Sequence, residues 1–273
     1  DCAVAVGGGS TTGLGKAIAL DSGLPIVAVP TTYAGSEMTP IYGLTEGGLK
    51  KTGRDVRVLP KTVIYDPELT VTLPLALSIT SGVNAIAHAA EALYTPEPNP
   101  IIELMAEQGI AALARALPAL RSDPRDRDAR HDALYGAWLC GAALGHVAMG
   151  LHHKLCHTLG GTFNLPHAET HTVVLPHALA YNAAAAPRAM ARIARAMGNG
   201  GDTDPLAAAR AVFDFTARLG APTSLRTIGM PASGLDRAAD IAVQTPYPNP
   251  RALDRQALRA LLQRAFDGAP PQA

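Results

Sequence analysis

The sequence predicts an α/β nucleotide-binding part over residues 1–68, truncated at its N-terminus, followed by an all-helical domain over residues 69–273. Three observations carry this expectation. Valine-rich runs bounded by turn residues recur near the start. Polar turns rich in glycine or hydroxyl groups follow two of them. After Thr72–Pro74, alanine and leucine take over at helical spacing and no further strand-rich region is expected.

The first run, CAVAV, ends at the glycine turn GGGS of Gly7–Ser10, and the second, LPIVAVP, spans Leu24–Pro30. Both are too short for independent helices and read as buried parallel strands. Between them LGKAIALDSG, Leu14–Gly23, has helical composition and stops on glycine, so the three together form a strand, helix, strand unit. KTVIYDP, Lys61–Pro67, supplies a further strand whose end leaves Asp66 either to cap the next helix or to face a cleft. Because the chain opens directly on a strand, an N-terminal truncation is expected. Helices follow at Glu103–Leu117, Ala133–Gly150 and Arg188–Gly198. The mixed-sign stretch Arg121–Arg130 reads as a solvated loop between helices, and TPYPNP at Thr245–Pro250 as a loop before the last helix.

Composition narrows the function. With 273 residues and 48% hydrophobic content, the chain is long enough for substantial cores. Lys+Arg and Asp+Glu balance at 23 each, which argues against a nucleic-acid partner, and no run is long enough for a membrane span. Three cysteines without CxxC spacing give neither a disulfide framework nor a zinc ribbon and fit a cytoplasmic setting.

Two groups of residues carry chemistry. The glycine turn lets backbone approach an anion at a helix N-terminus, and PTTYAGSE, Pro30–Glu37, repeats the placement after the next strand. Paired turns at the carboxyl ends of parallel strands are where an open α/β sheet takes a nucleotide. Gly8, Gly9 and Ser10 are expected to approach a diphosphate, and Thr31, Thr32 and Ser36 to line the nucleotide. The second group is histidine-rich: GLHHKLCHTLGGTFNLPH, Gly150–His167, holds four of nine histidines. On a short helix closed by Gly160–Gly161, His153 and His157 share a face, His152 points elsewhere, and His167 folds back from the next loop. SGVNAIAHAAEAL places Asn84 and His88 one turn apart, with Glu91 a turn further on.

In this order, GGGS, PTTYAGSE, YDP, GVNAIAHAAE, GLHHKLCHTLGG, LPHAETHTVVLPHALAYN and PYPNPR resemble the group III, iron-containing alcohol dehydrogenase family along almost the whole chain. The resemblance implies an oxidoreductase using NADH or NADPH, and a homodimer. It also implies that any metal is held by the positions of Asn84, His88, His153 and His167. The family's metal-dependent members have aspartate where this chain has Asn84, and many have an acidic residue where it has Gly13. The neutral amide resembles a branch thought to dispense with the ion and to reduce the activated double bond of maleylacetate to 3-oxoadipate in aromatic-compound breakdown. No metal is therefore expected. Such a substrate carries two carboxylates and a ketone that imidazoles can anchor without a Lewis acid. His157 is the candidate proton donor or enolate stabiliser. His153, His88, His167, Lys154 and Tyr33 are candidates for the remaining contacts, and His171 and His177 are assigned structural roles. A metal-dependent alcohol or polyol dehydrogenase of the same fold is the nearest rival, and a non-catalytic metal-binding remnant the next.

Overall fold

The structure, a computed structural model, describes residues 1–46, 49–96, 99–244 and 246–273. Strand β1 (Ala3–Gly7), helix α1 (Gly9–Ser22) and strand β2 (Ile26–Pro30) form the expected unit, with β1 and β2 parallel and in register from Ala3 opposite Ile26 to Gly7 opposite Pro30. Alternation along β1 sends Ala5 inward against Ala19 of α1 and leaves Val4 and Val6 on the other face. A hairpin of β3 (Ile41–Glu46) and β4 (Leu49–Arg54) follows, and β5 (Thr62–Val63) joins the sheet beside β2 to give the order β1-β2-β5. The hairpin departs from the sequence reading, although Gly47 and Gly48 between two short runs are a recognised hairpin signal. Asp66 is resolved as a cap: its carboxylate accepts from the Glu68 N–H at 3.0 Å and starts a short 3-10 turn.

Helices then run to the end: α2 (Leu75–Leu93), α3 (Pro100–Ser122), α4 (Arg127–Gly145), α5 (Leu151–Phe163), α6 (His167–Asn182), α7 (Pro187–Ala196), α8 (Ala207–Arg218), α9 (Leu235–Gln244) and α10 (Arg255–Asp267). Helix α6 is buried all round, from Thr170 to Asn182, because it lies between two cores. Leu175 and Leu179 belong to one, with α2, α3 and α4, while Val173 and Val174 belong to the other, with α5, α9 and α10. Arg192 bridges Glu103 and Glu107 at 2.7 and 3.0 Å and ties α7 onto α3.

Three helix boundaries correct the sequence reading. Helix α4 stops at Gly145, not Gly150. Helix α5 passes through Gly160–Gly161 and ends where Asn164 turns left-handed at φ 53°. Two glycines weaken a helix by only about 1 kcal/mol each, and the packing of Leu155 and Leu159 holds this one. His167 is not on a loop but opens α6 behind the extended Pro166. The segment Arg121–Arg130 is loop only between Ser122 and Arg127, and Arg130 is fully buried.

The sheet and the helices meet at the second polar turn. Gly35 adopts φ +75°, and a Cβ there would sit 3.1 Å from the Gly141 Cα and 3.2 Å from Nδ1 of His88. Glycine at both positions lets this turn lie directly on α4 and against the His88 ring.

Candidate active site

A cavity of about 950 Å³ runs between the sheet and the helices. One wall is the glycine turn with Gly8, Gly9 and Ser10, together with Thr32, Ser36 and the hairpin residues Ile41–Leu44; the other carries Asn84, His88, His153, His157 and His167. Helix α1 begins at Gly9 with Gly8 as its N-cap, no side-chain cap and no acidic residue in its first turn, so its first N–H groups suit a bound diphosphate. A Cβ on Gly8 would come within 2.9 Å of the Thr32 methyl, which leaves room for glycine alone where the two turns approach. This wall fits a dinucleotide. Thr31 donates its N–H to the Gly7 carbonyl at 3.0 Å and joins the two turns through backbone, but it is not part of the cavity lining.

Lys16 is an unexpected part of that wall. Its Nζ donates to the carbonyls of Ser36, Thr39 and Ile41 at 2.6–2.8 Å and to Oγ1 of Thr39 at 3.1 Å, so α1 is stapled to the second turn. Burial lowers its pKa to about 8, partly opposed by Glu37, whose own carboxyl is raised by burial and accepts from Tyr65 at 2.9 Å.

Two further sequence candidates lie outside the cavity lining. Tyr33 is fully buried, and its hydroxyl accepts from Arg130 at 3.0 Å. Arg130 also donates to Ser78 Oγ at 2.8 Å and to the carbonyls of Leu73 and Pro124, so Tyr33 fixes the turn and does not line the cavity. Arg130 was hidden in the sequence among alternating charges. Lys154 lies half-buried with its Nζ 5.9 Å from the centre of the Tyr247 ring, outside the cavity lining.

The histidine wall is organised by Glu91, one turn beyond His88. Its buried carboxylate accepts from the N–H groups of Gly150 and His152 at 2.8 Å, more weakly from His153 N–H at 3.4 Å, and from the Tyr94 hydroxyl at 3.0 Å. Gly150 offers no side-chain cap, so a carboxylate from α2 caps α5 instead. The same carboxylate meets Nδ1 of His153 at 2.7 Å. Burial by itself raises the Glu91 pKa, but the charge and hydrogen bond of His153, with the His152 charge and the Gly150 N–H, bring it down to about 2.

His152 and His171 also pack into this cluster, but neither lines the cavity. Ring centroids lie 5.1 Å apart for His152 and His153, 5.0 Å for His153 and His171, and 4.2 Å for His167 and His171. Burial, then the neighbouring histidines, lowers the pKa of His88 and His171 well below the ordinary range, and burial lowers His152 to about 4. His177 stands apart, edge-on to Phe213 at 6.4 Å.

Set against these contacts, the family's metal positions do not form the family's donor set. Oδ1 of Asn84, Nδ1 of His88 and Nε2 of His153 are buried without a protein hydrogen-bond partner, so lone pairs are present. The anionic ligand is absent, because Asn84 is neutral and Glu91 is committed to α5. Among the described residues, the nitrogens that converge within 4.8 Å belong to His152, His153 and His171. At Asn84, His88, His153 and His167 the residues present therefore hold a divalent ion less strongly than an aspartate-bearing set would.

The chain belongs to the iron-containing alcohol dehydrogenase family: a model of iron-containing alcohol dehydrogenase matches residues 1–67 and one of the family's C-terminal region matches residues 78–266. Within it, the chain is 66% identical over 271 residues to the maleylacetate reductase of Burkholderia cepacia, covering 99% of this chain and 75% of that protein. The crystal structure of maleylacetate reductase from Rhizobium sp. superposes with a TM-score of 0.93 at 55% identity, over 99% of this chain and 75% of that one. An iron-containing alcohol dehydrogenase from Corynebacterium glutamicum gives 0.91 at 48% identity, over 97% and 73%.

Proposed function

We propose that this chain reduces the double bond of maleylacetate to give 3-oxoadipate, with NADH or NADPH as reductant and without a metal ion. The observation that carries the reading is His153, which borders the same cavity as the glycine turn and is held from behind by Glu91, while Asn84 stands at the carboxylate position of metal-dependent relatives. The high identity to maleylacetate reductases supports the substrate. The match to the family models supports the nicotinamide cofactor.

A nicotinamide cofactor held through its diphosphate by the glycine turn would supply the hydride. The residues of this chain orient the substrate and manage charge. Hydride adds to the carbon of the double bond remote from the ketone, the π electrons move onto the ketone oxygen, and a proton completes the neighbouring carbon. The Glu91 carboxylate accepts from Nδ1 of His153 and holds that ring at the cavity wall, where it is assigned to orient the keto-acid. His88, stacked on His153 at 5.2 Å, and His167 border the same space for the substrate carboxylates. His157, one turn along α5 with its ring centre 6.1 Å from that of His153, is assigned the proton donor. Gly8, Gly9, Ser10, Thr32 and Ser36 are assigned to the cofactor. The three cysteines are free, in keeping with a reducing cytoplasm, and among the described residues no helix is long and apolar enough to cross a membrane.

The test is oxidation of NADH and NADPH by freshly prepared maleylacetate, using the full reading frame purified with chelator. Rapid turnover is expected. Turnover that returns only with zinc or iron overturns the metal-free half of the reading, and none under either condition overturns the substrate.

A further inference from the structure

The buried histidine nitrogens carry an inference beyond the reductase reading. We propose that His152, His153 and His171 form a binding site for a borderline divalent ion of the zinc or cobalt class, distinct from the family's metal positions, and that an ion held there inhibits the enzyme. The three residues are 0%, 3% and 0% exposed, and their ligand atoms lie within 4.8 Å of one another.

Hydrogen bonding fixes where the protons sit. Nδ1 of His153 donates to the Glu91 carboxylate at 2.7 Å, which leaves the Nε2 lone pair free in the neutral ring. Nε2 of His152 lies 3.1 Å from the His171 carbonyl, which can only accept, so Nε2 carries the hydrogen and Nδ1 the lone pair. Neither ring nitrogen of His171 has a protein partner, so that ring can present a lone pair from either side. Nδ1 of His152 and Nε2 of His153 are likewise buried without partners. Lone pairs buried in this way are unfavourable until something accepts them, and a cation among the three rings is such an acceptor.

Three imidazoles with an open fourth position are a recognised zinc environment, and bonds of about 2.0–2.1 Å set the ligand nitrogens ~3.4 Å apart, so the rings move inward by at most ~1.4 Å. Glu91 behind His153 completes a carboxylate–histidine–metal arrangement that raises ligand basicity. His153 borders the cavity and gives the ion its way in. An ion there occupies Nε2 of His153 and competes with the keto-acid. This inhibition rests on the role proposed for His153, whereas the binding does not.

The experiment uses chelator-treated protein from the full reading frame. Cobalt is titrated while the visible d–d absorption is recorded, and zinc is titrated by calorimetry, with His171→Asn, His152→Gln and His88→Asn compared. One ion per chain is expected, with the intense visible absorption of tetrahedral cobalt. His171→Asn and His152→Gln each weaken binding by ~10-fold or more, while His88→Asn leaves it unchanged. Loss with His88→Asn and retention with His171→Asn overturns the proposal by placing the ion in the family's positions, and absence of both cobalt absorption and heat in the parent protein overturns it outright. If a histidine variant fails to fold, imidazole nitrogen shifts in the parent protein decide. Zinc-induced shifts at His152, His153 and His171 support the site, and shifts at His88 and His167 instead overturn it. Metal-free enzyme that turns over and is inhibited by zinc competitively with maleylacetate supports the inhibitory role. Enzyme that needs zinc to turn over defeats the metal-free reading, while the cobalt and imidazole signals still judge the location.

Discussion

The two walls of the cavity recognise by different means. The sheet wall offers backbone: a bare helix N-terminus and two turns packed so closely that Gly8 has no room for a side chain, on a small core of Ala5, Ala19 and Ile26. Its valines Val4 and Val6 remain 62% and 55% exposed. The helical wall offers titratable side chains from α2, α5 and α6, embedded in two large cores that hold His152 and His171 fully buried. Backbone N–H groups bind an anion wherever a helix starts with room for it. Acid–base chemistry needs particular side chains at particular distances, and only a rigid core fixes those. The difference teaches that the sheet wall presents backbone held in place by its glycines and by Lys16, whereas the helical wall depends on the atoms of single side chains.

Changing Glu91→Gln tests that dependence most severely. The amide still accepts from the start of α5 but no longer carries charge beside His153, so kcat is expected to fall by ~10²–10⁴ in steady-state kinetics. Global stability is expected to drop by about 1–3 kcal/mol in urea unfolding, as charge-assisted hydrogen bonds become neutral ones. Unchanged kcat would move the chemistry off this pair. A pH series probes the helical wall more broadly through His177, whose pKa is lowered to about 4 by burial, then by the charge of Arg264. The folded state then binds fewer protons than the unfolded chain between about pH 6.5 and 4. The stability due to this neutral ring is complete above pH 6.5 and is lost as pH falls through 4, by up to about 3 kcal/mol. Urea melts at pH 7 and pH 4.5 are expected to differ less for His177→Asn than for the parent, and an equal difference would discount the buried neutral ring.

Smaller effects sharpen the contrast. His157→Asn is expected to lower kcat ~100-fold while KM for NADH stays unchanged, in the same kinetic assay. A rise in KM alone would make His157 a binding residue. On the opposite wall, Gly8→Ala forces a Cβ against Thr32 and is expected to raise KM for NADH ~10-fold, about 1.4 kcal/mol, leaving kcat and KM for maleylacetate near parent values. A fall in kcat without a change in KM would mean that the glycine turn serves the chemistry and not cofactor affinity.

Much of the site was legible because local patterns encode it. Spacing placed Asn84, His88 and Glu91 on one helix, and His153 and His157 on another. The hidden parts were those whose partners lie far along the chain. Arg130 looked like a solvated charge until Tyr33, Ser78 and Leu73 surrounded it. His171 lies one helical turn beyond His167, but that spacing became a signal only once His167 opened α6 instead of lying on a loop. Tyr33, next to hydroxyl residues of a nucleotide turn, had the right neighbours in sequence and the wrong direction in space.

By itself the sequence determined the alternation of strands, turns and helices, the glycines that let backbone approach an anion, and the neutral amide of Asn84 one turn from His88. Periodicity, turn chemistry and residue charge are local properties and survive without a fold. Tertiary structure alone decided that Glu91 would cap α5 and hold His153, that Lys16 would staple the two turns, and that His152 and His171 would share one buried cluster. Each of these depends on which helix faces which. The packing of several cores fixes that jointly, through burial of apolar surface that no short stretch of chain can achieve alone.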